Sequence, residues 1–180
     1  MKRTLSILIT LMLTLTLSAQ GNITTFMGIP VDGTREVMTA KLLKNGVVKK
    51  DNNLIIKDIE GGTYFIQLKT HKGKVYRVSM VETKGTDDVN RIIGRFDSLV
   101  EEYRENTALY CEFEYNHSVI ADSIDTKEQY IKQGCFFAEF FQKADPQLYS
   151  KRIGIQITDR YGDYRIERLY DNVYNMPEGK

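Results

Sequence analysis

Two stretches of the chain alternate apolar and polar residues, and this alternation limits the fold more than any other feature. Residues 63–81 alternate on both sides of a turn at Lys72 and Gly73, and residues 152–170 do the same around Gly162. The apolar positions include Tyr64, Ile66, Leu68, Ile155 and Ile157. Side chains of a strand point alternately to its two faces. The pattern therefore predicts two β-hairpins in one antiparallel sheet that buries the apolar set.

An amphipathic helix is predicted over residues 88–105. Its apolar stripe is Val89, Ile92, Ile93, Phe96, Leu99, Val100 and Tyr103. Spacings of three and four residues place these side chains on one helix face, which we expect to pack on the sheet. A shorter helix is expected over 35–44, capped by Thr34 and stopped by Asn45 and Gly46, and another over 126–133, capped by Asp125. Further strands are expected over 53–60, over 109–115 with Leu109 facing inward, and over 135–142. Helices on one face of an antiparallel sheet make an α+β fold.

The two hairpins also resemble each other in sequence. Ile66-Gln67-Leu68 matches Ile155-Gln156-Ile157, and Tyr76-Arg77-Val78 matches Tyr164-Arg165-Ile166. Each copy follows a helix, so the chain is predicted to contain two tandem helix-plus-hairpin units with halves at 21–84 and 85–180. Alternation alone produces similar hairpins, so common origin and chance both stay open.

The amino terminus has the layout of a signal peptide. Lys2 and Arg3 precede an apolar run over 5–17, and the small residues Ser18 and Ala19 follow. The run is too short for a membrane-spanning helix, which needs about 20 apolar residues. We expect cleavage after residue 19, a single domain over 20–180, and a periplasmic or secreted protein without a membrane anchor. The alternative is an uncleaved anchor, because Leu17 stands where a small residue is preferred.

The charge of the chain gives no support for a nucleic-acid partner. Cleavage removes Lys2 and Arg3 from a total of 25 basic residues against 24 acidic ones, so the remaining charge is close to zero. Nucleic-acid binders carry a basic surplus or a basic stripe. The sequence shows neither.

The opening segment FMGIPVDGT, residues 26–34, is expected to form a turn and cap a helix. With the helix that ends at Asn45 and Gly46, it resembles the start of a family of small exported proteins of Gram-negative gut bacteria. That resemblance implies a signal peptide, a hairpin, an amphipathic helix and a second group of strands. Members of the family have no established activity to transfer to particular residues. The two-unit plan also looks like the beta-lactamase inhibitor protein architecture, which implies an open sheet face that binds a partner.

No residue of the sequence indicates catalysis, a metal site or a cofactor. Cys111 and Cys135 are the only cysteines, and a disulfide or two buried thiols are the alternatives for an exported protein. Together with His71 and His117 they lack the closely spaced pair that is usual in zinc sites. No serine lies in a nucleophile elbow. We therefore predict no catalytic, cofactor-binding or metal-binding residues.

The candidate binding residues lie on the face of the hairpins opposite the apolar set. They are Gln67, Arg77, Gln156, Tyr161 and Arg165. Tyrosine and arginine are frequent in the energetic centres of protein interfaces. The favoured function is that of a non-catalytic exported binding protein whose partner is an envelope or secreted protein. The alternative is a small periplasmic hydrolase whose site the sequence does not identify.

Overall fold

The structure of the protein is a computed structural model. It describes residues 23–59, 62–116, 123–143, 150–160 and 162–178, and within these ranges the side chains of residues 58, 59 and 111–116 are not described. The predicted signal segment, residues 1–19, lies outside the described residues.

The described chain alternates short connections with helices and strands. In order, the elements are β1 (Thr25–Phe26), β2 (Ile29–Pro30), α1 (Arg35–Lys44), β3 (Val48–Lys50), β4 (Asn53–Ile59), β5 (Gly62–His71), β6 (Lys74–Glu82), α2 (Val89–Glu105), β7 (Tyr110–Asn116), α3 (Ile124–Lys132), β8 (Phe137–Gln142), β9 (Lys151–Arg160), β10 (Asp163–Asn172) and a 3₁₀ turn (Val173–Asn175).

Eight of the strands form one antiparallel sheet. Its order is β3-β4-β5-β6-β10-β9-β8-β7, while β1 and β2 form a separate two-stranded hairpin. The β5–β6 and β9–β10 hairpins both lie in the large sheet, and their second strands pair with each other. The predicted α+β fold, with both hairpins in one antiparallel sheet, is confirmed.

The helices pack on one face of this sheet. The ring of Phe96 in α2 meets that of Phe136 edge-on at 6.1 Å, and the ring of Tyr103 lies 5.3 Å from that of Phe140 in β8. The side chains predicted to face the helices are each at most 5 % exposed and belong to the same core, namely Ile66, Leu68, Ile155 and Ile157. Burial of an apolar side chain of this size contributes about 1.5–3 kcal/mol. The apolar alternation therefore defines the helix-covered face.

The opening segment forms a tight hairpin beside this core. Met27 and Gly28, the two turn residues, have φ angles of 53° and 73°, and φ is positive at both positions in the type I′ turns that suit hairpins. The ring of Phe26 packs edge-on against that of Tyr170 with centroids 4.8 Å apart. Thr34 then caps α1 by accepting a hydrogen bond from the third helical N–H at 3.4 Å. The turn and the cap predicted for this segment are both present.

The sheet has approximate twofold symmetry about its centre. The first half contributes β3, β4, β5 and β6, and the second contributes β7, β8, β9 and β10 in the mirror order. The repeat that aligns Arg77 with Arg165 makes Arg168 the counterpart of Met80. Met80 pairs directly with Arg168. Two equivalent residues that lie next to a twofold axis must face each other in this way. The two predicted hairpins therefore occupy equivalent places in the two halves of the sheet.

Two local predictions were wrong. Asp125 was expected to cap α3, but it lies inside the helix, and Ser123 is the N-cap. Both residue types are good caps, so composition alone does not choose between them. Leu109 was expected to face inward, but it lies in the turn after α2 and is 55 % exposed. Tyr110 takes the inward position and stacks on Tyr103 at 4.5 Å.

Candidate binding surface

The register of the sheet assigns the predicted binding residues to the face opposite the helices, here called the helix-free face. Gln67 alternates in β5 with residues that face the helices, and Gln156 does so in β9. Arg77 and Arg165 occupy the same face as these glutamines in β6 and β10. The predicted placement of these four side chains is confirmed. Tyr161 lies outside the described residues.

One row of side chains on the helix-free face is apolar. Val48 pairs with Ile55, Ile55 with Phe65, and Phe65 with Val81, so the row crosses β3, β4, β5 and β6. Val48 is 50 % exposed and Val81 is fully buried, while Ile55 and Phe65 are half-buried between them. Adjacent strands lie about 4.8 Å apart, so this apolar row is about 14 Å long. Its exposed end makes it a candidate contact stripe.

Basic side chains flank the apolar row on both sides. On the helix-free face, Lys57 is the next side chain beyond the row in β4, and Lys50 is the next one on the opposite side in β3. Lys69 and Arg77 pair with each other one further position away. The three lysines are exposed and Arg77 is half-buried. Among the described side chains of β3–β6, none on this face is acidic.

Arg77 is held in place by a buried carboxylate. Its Nε and Nη2 atoms each donate a hydrogen bond of 2.6 Å to the carboxylate of Asp171 in β10. The side chain of Asp171 is 5 % exposed and that of Arg77 is 22 % exposed. These hydrogen bonds raise the pKa of Arg77 above its usual value, in spite of the opposing effect of burial. The guanidinium therefore stays charged and has a fixed orientation on the face.

The other half of the helix-free face neutralises its own charges. Arg152 of β9 donates two hydrogen bonds to Glu139 of β8, of which the one from Nη2 is 2.7 Å long. Glu139 is only 2 % exposed. Gln156 donates a hydrogen bond of 2.8 Å to Glu167, its partner in register on β10. This half is therefore more buried and closer to electrostatic balance than the half formed by β3–β6.

Several grooves open on the described surface. One, of about 700 Å³, lies beyond Lys69 and Arg77 at the end of the sheet, and its lining includes Lys72, Lys74 and the exposed ring of Tyr174. A second, of about 470 Å³, lies between the end of β6 and the start of α2. A third, of about 580 Å³, lies between α3 and the β9–β10 turn. The groove of about 700 Å³ therefore continues from the end of the helix-free face that carries Lys69 and Arg77.

The two cysteines are too far apart for the disulfide that the sequence left open. Cys111 pairs with Phe141 at one end of the β7–β8 ladder, whereas Cys135 precedes Phe137, which pairs with Asn116 at the other end. The four strand positions between Phe141 and Phe137 correspond to about 13 Å, and Cys135 lies two residues beyond Phe137. A disulfide needs Cα atoms within about 7 Å. Cys135 is a half-buried free thiol. The strand register therefore favours two separate thiols over the disulfide alternative.

The structure divides the predicted binding residues between two environments. Gln67 and Arg77 lie beside the apolar row, whereas Gln156 and Arg165 lie in the self-paired half, where Arg165 reaches the Asp163 carboxylate at 3.4 Å. Sequence reasoning missed the apolar row, because its outer end lies on a strand of three residues that is too short to show alternation.

Within the described ranges, no cluster of three or more His, Cys, Asp or Glu side chains could hold a metal ion. No helix in the same ranges is long and apolar enough to cross a membrane. Comparison of the chain with protein-family models, with curated proteins and with solved structures finds no match.

Proposed function

We propose that the protein is an exported, non-catalytic binding protein that docks another envelope or secreted protein on the β3–β6 half of the helix-free face. We call this half the docking surface. It comprises Val48, Lys50, Ile55, Lys57, Phe65, Gln67, Lys69 and Arg77.

The observation that carries this proposal is a partly exposed apolar row beside cations that have few acidic partners among the described residues. Protein interfaces combine an apolar centre with arginine and a polar rim, and the docking surface offers each of these. Asp171 already orients Arg77, so binding would lose less side-chain freedom there, where ordering a long side chain costs about 0.5–1.5 kcal/mol. A sheet also presents these groups on a rigid support.

Export is proposed on the sequence of the first residues. The basic pair, the apolar run and the small residues before Gln20 support a cleaved signal peptide, as does the resemblance of residues 26–34 to exported proteins. Mass spectrometry of the protein recovered outside the cytoplasm should give an amino terminus near Gln20. Recovery only with Met1 still in place, bound to membranes, would show that the segment acts as an anchor.

The docking surface is tested by one apolar substitution and a matched control. Val48→Asp places a charge at the exposed end of the apolar row. Val37→Asp makes the same change on α1, at a site of similar exposure, 47 % against 50 %. In urea unfolding, the free energy of unfolding of both variants should stay within about 1 kcal/mol of that of the parent.

The readout is capture of partners from an envelope extract. A partner retained by the parent and by Val37→Asp, but lost with Val48→Asp, is the expected result. Equal capture by all three proteins would place the binding site elsewhere and refute the docking surface.

A further inference from the structure

We infer that the docking surface recognises an acidic amphipathic segment of its partner, one whose apolar stripe is flanked on both sides by carboxylates. This inference rests on the proposed function and specifies the chemistry of the partner.

The charge distribution on the sheet indicates the sign of the charge that the partner should carry. The chain as a whole is nearly neutral, with 25 basic and 24 acidic residues. The docking surface nevertheless carries Lys50, Lys57, Lys69 and Arg77, and its described side chains include no acid. Within the described part of the chain, Arg77 is the only one of these four cations with a carboxylate partner, and that partner lies on β10. Opposite charge on a partner would therefore complement this half of the face, as it does at protein interfaces.

The spacing of these groups gives the pattern of the partner. Successive side chains on one face of a strand are about 7 Å apart, so Lys57 and Lys50 stand about that far from the apolar row on its two sides. The accessible part of the row, from Val48 to Phe65, runs across the strands for about 10 Å. Two turns of an α-helix carry an apolar stripe about 11 Å long. A helix laid across the strands would place its stripe on the row and its flanking carboxylates near the lysines.

The shape of the docking surface favours a protein segment over a lipid bilayer as the partner. Ile55 and Phe65 are half-buried in the pleat and Val81 is fully buried, so Val48 alone of the row is largely exposed. Membrane-surface proteins insert protruding apolar side chains among the lipids. The neighbouring row also presents the exposed amides of Asn53 and Gln67, which can hydrogen-bond to a polypeptide.

The first test compares two synthetic peptides. Both carry a leucine stripe at helical spacing, and they differ only in having glutamate or glutamine on the flanks. Their affinity for the purified full chain is measured by fluorescence anisotropy at low and at physiological salt. The glutamate peptide should bind about tenfold more tightly at low salt, and its advantage should shrink as salt screens the charges. Equal affinity of the two peptides would overturn the inference.

The second test changes the protein. The double variant Lys50→Glu/Lys57→Glu reverses the flanking charges, and Lys41→Glu/Lys44→Glu makes the same change at exposed positions of α1. We expect the first variant to bind the glutamate peptide about tenfold more weakly, and the α1 variant to stay within about twofold of the parent. An equal loss in both variants would indicate non-specific attraction and overturn the inference.

Vesicles containing phosphatidylglycerol distinguish a membrane from a protein partner. Vesicle binding that depends on Lys50 and Lys57, without binding of the glutamate peptide, would overturn the inference in favour of a lipid surface. The proposal of the docking surface and the proposal of an acidic partner can be refuted independently of each other. If Val48→Asp abolishes partner capture while peptide charge has no effect, the docking surface stands and the acidic segment is refuted.

Discussion

Replacement of Arg77 by leucine should destabilise the protein, because it leaves a buried carboxylate without its main partner. Asp171 has a 5 % exposed side chain and loses both hydrogen bonds of 2.6 Å. Removal of one member of a buried ion pair costs about 3–5 kcal/mol. Arg77 is itself 22 % exposed, and Arg152 lies beside Asp171 in register on β9, so solvent and this second guanidinium offset part of the loss. We therefore expect a cost of about 3 kcal/mol.

Two further variants separate this cause from a general loss of packing. Arg77→Leu/Asp171→Leu removes both charges, and replacement of a buried pair by apolar residues is often neutral or stabilising. The double variant should therefore unfold within about 1 kcal/mol of the parent. Lys132→Leu removes one member of a pair with Glu128 in which the side chains are 58 % and 37 % exposed, and should cost less than about 0.5 kcal/mol.

Urea unfolding followed by circular dichroism measures these differences. For Arg77→Leu, a cost of about 3 kcal/mol corresponds to a fall of about 6–12 °C in Tm for a domain of this size. A single variant as stable as the parent, or a double variant less stable than the single one, would refute the argument from a buried unpaired carboxylate.

Two other predictions concern the helix-covered face. Phe96→Asp puts a carboxylate at a position with no solvent exposure, which costs several kcal/mol of stability. Thermal circular dichroism of this variant should therefore show no cooperative transition. The control variant Arg104→Asp, on the outer face of α2, should unfold cooperatively. Burial raises the pKa of Tyr103 well above its usual value, so the folded protein favours the protonated phenol. This contribution to the free energy of unfolding is complete below the pKa of the unfolded chain, about 10, and is lost at higher pH. Tyr103→Phe should therefore flatten the alkaline fall of the urea midpoint, and an unchanged pH profile would contradict this.

The helices and the faces of the sheet could be predicted because they depend on neighbouring residues. The bounds of α1 and the start of α2 follow from caps and spacing, and the orientation of Gln67 follows from strict alternation. The ion pair of Arg77 with Asp171 could not be predicted in this way. It requires β6 to lie beside β10, which is a long-range choice that local patterns do not specify. By contrast, the pairing of Gln156 with Glu167 follows from the β9–β10 turn and could have been derived.

The junction between β6 and β10 also affects the order in which the protein folds. The β5–β6 and β9–β10 hairpins close through short turns, whereas the junction joins Val81 to Glu167, which are far apart in the chain. Closing a long loop costs more entropy and slows the formation of distant contacts. We expect each hairpin to form before the junction, and pulsed hydrogen exchange should then protect the amides between β6 and β10 last. Arg77 meets Asp171 across this junction, so the docking surface would reach its final form only in the last step of folding.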